Sequence, residues 1–337
     1  MRSSKIHARK SIAALSAILL SALALFLFIP DLNTSKAPAR LVVHRGTGFR
    51  EIVAELQRTG AIRSEWPAIV TGAIIPKLHN IKAGRYLIPP GMSNFQLLFY
   101  LHAHPQDEVR ITIPEGLELR KVARLLGRKL DFDSTAFMAA AADRRLLGKF
   151  KISGSSAEGY LFPGTYNFVW AGSARETAAF LIGRFRKFYT RELQNETAAR
   201  GMSELQLLTL ASIVEAETPL DREKPLVASV YLNRLRKNMR LQADPTVQYA
   251  LGEDARRLFF KDLEKDSPYN TYTRSGLPPG PICSPGASSI LSVLRPAETG
   301  YLYFVASGTG GHNFSGTLAG HDENVRKYRN ALKETRH

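Results

Sequence analysis

Between Leu205 and Val214 the chain carries Leu205, Leu207, Leu208, Leu210, Ala211, Ile213 and Val214, apolar residues that point to every side of a helix. Such a helix belongs inside a domain, so the surrounding chain must wrap it. Ser203 followed by Glu204 reads as an N-cap with an acid in the first turn. Pro219 disfavours helix at Thr218 and stops the element there. The helix therefore closes on Glu215-Ala216-Glu217, and carboxylates on a buried helix are rare unless paired or functional. Residues two apart are turned by about 200° from each other. Only one of the two can face a given cleft.

Glu217 lies over Val214, Ile213 and Leu210, whereas Glu215 lies over Ser212, Ala211 and Leu208. The more apolar bed disfavours ionisation more strongly and raises the carboxyl pKa, as a general acid requires. Glu217 is the candidate catalytic residue; the competing reading is an exposed helix end with two solvated acids. A second helix, about Asp221 to Lys237, turns Val227, Val230, Tyr231 and Leu235 inward and carries Asn233 and Arg234 near its end. Gln242, Asp244 and Thr246 then cluster around Pro245. Asp244 is either a second carboxylate, as in hydrolases that pair an acid with a base, or the N-cap of a helix starting at Pro245.

The N-terminus decides where this chemistry operates. Residues 2–10 hold four cations and no acid, and residues 11–29, SIAALSAILLSALALFLFI, hold no charge. At about 1.5 Å per residue the run nearly spans a hydrocarbon core of roughly 30 Å. Its length, and the absence of a small-x-small pair before Pro30, favour an uncleaved anchor over a signal peptide. The basic flank stays cytoplasmic and the body is exported. The formal net charge of +16 calls for an anionic partner or reflects a basic proteome. Without Arg- or Lys-rich tracts, zinc-finger spacing or an RNA-binding signature, nucleic acid is not that partner. The single cysteine, Cys283, excludes an intrachain disulfide, and His312 and His321 are too sparse for a metal site. No cofactor is called for.

Residues 31–39 form a polar linker, and Arg40–Val43 a strand leading to Gly46. Phe49–Leu56 is an amphipathic helix, residues 82–88 a returning strand, and residues 94–102 a short helix. A shift of seventy residues lays RLVVHRGTGFREIVAEL (40–56) on RITIPEGLELRKVARLL (110–126), a strand, glycine turn and helix used twice. The first copy resembles small LysM-like carbohydrate-binding modules. Residues 133–150 and 173–197 read as helical, and Glu158-Gly159-Tyr160-Leu161-Phe162-Pro163 as either a packed aromatic turn or a sugar-stacking wall. Gly276–Ile282 forms a rigid extended track, a helix begins near Ser288, and Tyr301–Val305 is a strand.

Taken in order, several segments resemble the YceG-like family of endolytic murein transglycosylases. They are Glu158–Pro163, Leu210–Thr218, Asn233–Leu235, Leu241–Val247, Tyr269–Tyr272, Gly276–Ile282, and Tyr303–Val305 through Phe314. The resemblance implies an α+β protein: cytoplasmic tail (1–10), transmembrane anchor (11–30), linker (31–39), LysM-like module (40–105) and catalytic domain (106–337). It implies cleavage of peptidoglycan glycan strands between MurNAc and GlcNAc without water, at the inner membrane, alongside peptidoglycan synthases. The family's essential Glu falls on Glu217. Tyr160, Asn233, Gln242, Asp244, Tyr269, Asn270, Tyr272 and His312 become candidate substrate-binding residues. Gly164, Ser284 and Gly320 depart from the family pattern and carry no assigned role.

Overall fold

A computed structural model describes residues 33–252 and 256–334, with 13–18, 21 and 28. The expected anchor, 11–30, thus falls largely outside the described residues. No helix among them is long and apolar enough to cross a membrane. The chain divides into two compact units, Met1–Val109 with Phe168–Gly172, and Arg110–Asn167 with Ser173–His337.

The first unit is built on β1 (Ala39–Val43), α1 (Phe49–Arg58), α2 (Trp66–Ile74), β2 (Gly84–Ile88) and α3 (Asn94–Ala103). β1 and β2 pair antiparallel, from Ala39 opposite Ile88 to Val43 opposite Gly84. Ala39, Leu41 and Val43 point to the core and the residues between them to solvent, as a half-buried strand requires. They pack against Ile52, Val53 and Leu56 of α1 and Leu97 and Leu101 of α3. α2 has no apolar periodicity to announce it. Its buried residues are the small Pro67, Ala68, Thr71 and Gly72, while Ile74 stays exposed. A Cβ on Gly72 would stand 2.6 Å from the Phe49 ring, so only glycine lets α2 approach α1 this closely.

Most of β3 (Glu108–Ile113) and β4 (Gly164–Val169) lies in the second unit, where the Thr112 and Thr165 hydroxyls meet at 2.8 Å. Seven helices follow β3 before the next turn of chain at Gly201–Met202 or flank it beyond: α4 (Leu119–Gly127), α5 (Ser134–Ala141), α6 (Arg144–Lys149), α7 (Ala174–Phe188), α8 (Arg191–Ala199), α9 (Glu204–Glu217) and α10 (Lys224–Arg236). α11 (Asp244–Leu251), α12 (Ala287–Leu294), the hairpin β5 (Tyr303–Ala306) and β6 (His312–Ser315), and α13 (Leu318–Glu334) complete it. The protein is a mixed α+β structure of helices and small antiparallel sheets. The shifted repeat is real at the level of local structure: β1–α1 and β3–α4 each pass through a left-handed glycine, Gly46 at φ +87° and Gly116 at φ +72°.

Three helical expectations change. The span 133–150 is two helices because Asp133 and Asp143 each cap one, accepting from Ala136 N and Leu146 N at 2.7 Å. The span 173–197 breaks at Tyr189–Thr190. There Tyr189 stacks on Phe185 and gives its hydroxyl to Thr197 at 2.9 Å, while Gln194 caps the freed Tyr189 carbonyl at 3.2 Å. The helix expected from Asp221 begins at Lys224, with Pro225 in its first turn.

α9 is the axis of the second unit. Every residue from Leu207 to Val214 is buried, with α10, α11 and α12 packed around it. Ser203 caps its start in a reciprocal box with Gln206, the two bonds 3.2 and 2.8 Å long. At its end Thr218 is extended, at φ −145°, ahead of Pro219.

Candidate active site

The two carboxylates on the last turn of α9 have opposite fates. Glu215 is buried and paired: Lys224 Nζ lies 3.2 Å from Oε1, and Oε2 accepts from Gly286 N at 2.9 Å and Ser289 Oγ at 2.7 Å. Lys224, whose side chain is 2% exposed, is further neutralised by Asp221 at 3.0 Å and gives a hydrogen bond to Ser288 at 2.8 Å. Every oxygen of the Glu215 carboxylate is thus engaged in an ionic network.

Among the described residues no cation is bonded to Glu217. Its Oε1 accepts from the Tyr231 hydroxyl at 2.5 Å, and Oε2 takes no partner among the described residues. Burial pushes its pKa up from 4.5 to about 7. The Tyr231 hydrogen bond opposes the rise, the Asp244 carboxylate adds to it, and the Arg234 guanidinium lowers it. Burial, with the neighbouring Glu217 carboxylate, drives the Tyr231 phenol far above its ordinary value, so it remains a donor at any working pH. Tyr231 is itself braced edge-on by Phe304, at 5.9 Å and 88°. Arg234 is immobilised by the Leu302 and Leu241 carbonyls at 2.7 and 2.6 Å and by the face of Tyr303. What results is a protonatable carboxyl with one oxygen fixed and the other free, the arrangement of a group that gives up and retrieves a proton.

A second tyrosine–carboxylate pair stands beside the first. Tyr272 gives its hydroxyl to Asp244 Oδ1 at 2.5 Å, and burial followed by that bond raises the Tyr272 pKa. Asp244 is exposed and lies within the first turn of α11; Ala243 is the N-cap and makes no side-chain cap bond. The cap reading of Asp244 is thereby replaced by a tyrosine-held carboxylate. Gln242, just ahead, is exposed and left-handed at φ +48°, a conformation costly for a non-glycine residue.

The other candidates fall elsewhere. Asn233 donates both amide hydrogens to the Thr299 and Tyr301 carbonyls, at 2.9 and 2.8 Å, and accepts from Arg236. Asn270 likewise gives its amide to Leu263 and Lys265 at 2.9 and 2.8 Å and accepts from Tyr272 N, which orients the Tyr272 loop. Tyr269 packs on Tyr249 at 4.8 Å. Tyr249 in turn bonds Glu158 at 3.3 Å, a second carboxyl that burial pushes up to about 7 against hydrogen bonds from Leu119 N, at 2.9 Å, and from the Gly159 backbone. Its neighbour Gly159, at φ +82°, admits Pro281 where a Cβ would collide at 2.5 Å, locking the aromatic turn to the proline track.

His312 joins Glu223 at 2.7 Å and lies edge-on to the far contact of Phe304 at 5.3 Å, one ring removed from Tyr231. Tyr160 is buried against Phe185 and the Arg186 guanidinium, and Arg186 pairs with Glu204 at the start of α9. At about 1.5 Å per residue, that is roughly 20 Å from Glu217. A cavity of about 1180 Å³ lined by Gln206, Ser229, Leu232, Arg236, Leu277 and Thr299 opens on another face of α10 from Tyr231; its one carboxylate, Glu298, is exposed to solvent rather than buried as Glu217 is. Lys224 and the hydroxyl of Tyr231 escape notice in the sequence, where Tyr231 reads as core. A buried tyrosine needs a hydroxyl partner, and that requirement was the available signal.

The YceG-like family matches residues 41–327. The chain is 31% identical over 320 residues to an endolytic murein transglycosylase of Bacillus subtilis, covering 90% of this chain and 89% of the relative. It is 29% identical over 338 residues to one of Streptococcus pneumoniae, covering 90% of this chain and 60% of that longer protein. A crystal structure of a yceG-like protein from Listeria monocytogenes superposes with a TM-score of 0.58 at 31% identity, over 86% of this chain and 99% of that one. With 41–327 matched, the chain belongs to the YceG-like family.

Proposed function

We propose that this protein is an endolytic lytic transglycosylase, anchored in the inner membrane by residues 11–29 and acting outside the cytoplasm on peptidoglycan glycan strands. The observation that carries the reading is the contrast at the end of α9: Glu215 neutralised by Lys224, Glu217 held only by a tyrosine with its pKa near 7. The relatives named as murein transglycosylases support the substrate class. Glu217 Oε2–H protonates the glycosidic oxygen as the C1–O bond breaks and an oxocarbenium-like centre forms. The resulting carboxylate removes the proton from the C6 hydroxyl of MurNAc, whose oxygen closes on C1. The product is a 1,6-anhydro end, Glu217 is again protonated, and no water is consumed.

In this scheme Asp244, Tyr272 and Gln242 face the sugar, Tyr269 flanks them, and Asn233, Asn270 and His312 hold the loops that present them. The β–α–α–β order of the first unit supports a LysM-like role in glycan binding, and work alongside a wall synthase would supply nascent strands. Mass spectrometry of digested glycan tests the chemistry. Anhydro ends are the expected product; reducing ends would instead make Asp244 the base of a hydrolytic muramidase, and intact sacculi with bound protein would indicate a non-catalytic scaffold.

The proton cycle also sets a pH profile. Cleavage requires Glu217 protonated at the start, so activity falls as pH rises through about 7. Tyr231→Phe removes a donor that favours the ionised form. The alkaline limb should therefore move to higher pH while the maximal rate drops by about 10- to 100-fold, the loss of a charge-assisted hydrogen bond. A limb that stays in place, or moves down, would remove Tyr231 from the cycle.

A further inference from the structure

Beyond the end of α11, the chain around Phe259 does something the proposed chemistry does not need. Phe259 and Phe260 are 59% and 90% exposed, adjacent, and followed by the short 3-10 helix Phe260–Glu264. Exposed aromatic pairs of this kind are not left over from packing. The loop is built to present them. Asp262 is turned inward, where its carboxylate accepts from Arg256 at 2.8 and 3.0 Å and from Phe259 N at 2.8 Å. The Arg256 guanidinium also lies 5.7 Å from the Phe259 ring. With Asp262 turned in, the two exposed charges nearest the rings, Arg257 and Lys261, are positive, and Glu264, Lys265 and Asp266 follow, which leaves cations in excess by one among the exposed residues of 256–266.

We infer that the Phe259–Phe260 loop is a membrane-docking element that inserts two rings into the interfacial region of an anionic phospholipid surface. Bare phenyl rings gain by leaving water for the headgroup–acyl boundary, and flanking cations gain beside anionic headgroups. A sugar site would be concave and would offer hydrogen-bonding side chains next to its rings. Here Phe260 stands almost wholly free, and neither this loop nor its cations line the cavity beside α10. The overall charge of +16 complements the same surface. The inference is independent of the cleavage chemistry, and its readout is not activity.

The test uses the full chain in vesicles. Phe260→Trp adds an emission to that of Trp66 and Trp170, which wild type supplies as the blank. In phosphatidylglycerol vesicles with brominated acyl chains, most of the added emission should be lost, and Arg257→Glu with Lys261→Glu should restore it. Emission that stays bright with bromolipid and open to aqueous acrylamide would overturn the inference. So would equal quenching in phosphatidylcholine vesicles, which would remove the role of the cations. Shielding from acrylamide in detergent by a soluble glycan fragment would reassign the loop to sugar, and shielding that grows with protein concentration would reassign it to a second copy of the chain.

Discussion

Glu217→Gln should abolish glycan cleavage while making the protein more stable. The amide fills the same space and can still accept from Tyr231, but it can neither deliver a proton nor retrieve one. General acid–base catalysis contributes about 10²- to 10⁴-fold, and here one group serves both halves of the cycle, so a loss at the upper end is expected. The stability change follows from the raised pKa. A carboxyl moved from 4.5 to about 7 by folding is ionised more easily in the unfolded chain, so wild-type stability is lost as pH rises from 4.5 through 7. The neutral variant has no such loss. Its advantage should be absent near pH 4, grow across that window and reach at most about 3 kcal/mol at pH 8. Urea melts at pH 4 and pH 8, run beside a digestion assay, read both effects. A variant that still cuts glycan would end the assignment; one that is inactive and equally unstable at pH 8 would place Glu217 in water rather than in an apolar bed.

The neighbouring carboxylate predicts the reverse. Glu215→Ala leaves the Lys224 ammonium buried with its buried carboxylate partner gone and only the exposed Asp221 and Glu115 beside it, and it orphans Gly286 N and Ser289 Oγ. Breaking a buried ion pair from one side costs about 3–5 kcal/mol. Asp221 and Ser288 still hold Lys224, which favours the lower end. Glu215→Leu combined with Lys224→Met should recover the part of the loss that comes from the stranded ammonium, because an apolar pair then replaces the Glu215–Lys224 pair, whereas Gly286 N and Ser289 Oγ still lack their acceptor. A loss below about 1 kcal/mol from Glu215→Ala, measured by urea midpoint at pH 7, would contradict a structural ion pair.

How much of this was legible beforehand differs by element. The all-round apolar run and its caps at Ser203 and Pro219 defined α9 almost to the residue. The same helix periodicity separated Glu217 from Glu215. What periodicity could not supply was the partner of each, because Lys224 and Tyr231 reach them from α10 through tertiary packing. Asn233 and Asn270 illustrate the same limit. Polar residues inside short motifs read as substrate ligands, yet their amides are spent on carbonyls, for Asn233 as far away as Thr299 and Tyr301. α2 was invisible for another reason: a helix buried through Pro, Ala, Thr and Gly has no hydrophobic stripe to detect.

The caps at the two ends of α9 have a consequence for the phase of the helix. Each residue of helix turns the side chains by about 100°. With Ser203 and Gln206 clasped at one end and Thr218 extended before Pro219 at the other, the angular setting of the last turn is pinned from both sides. A single-residue slip within the helix would swing Glu217 away from Tyr231 and carry Glu215 off Lys224 at the same time. The distinction between a salt-bridge carboxylate and a proton-carrying one is therefore held less by their own surroundings than by a rotational clamp more than three turns long.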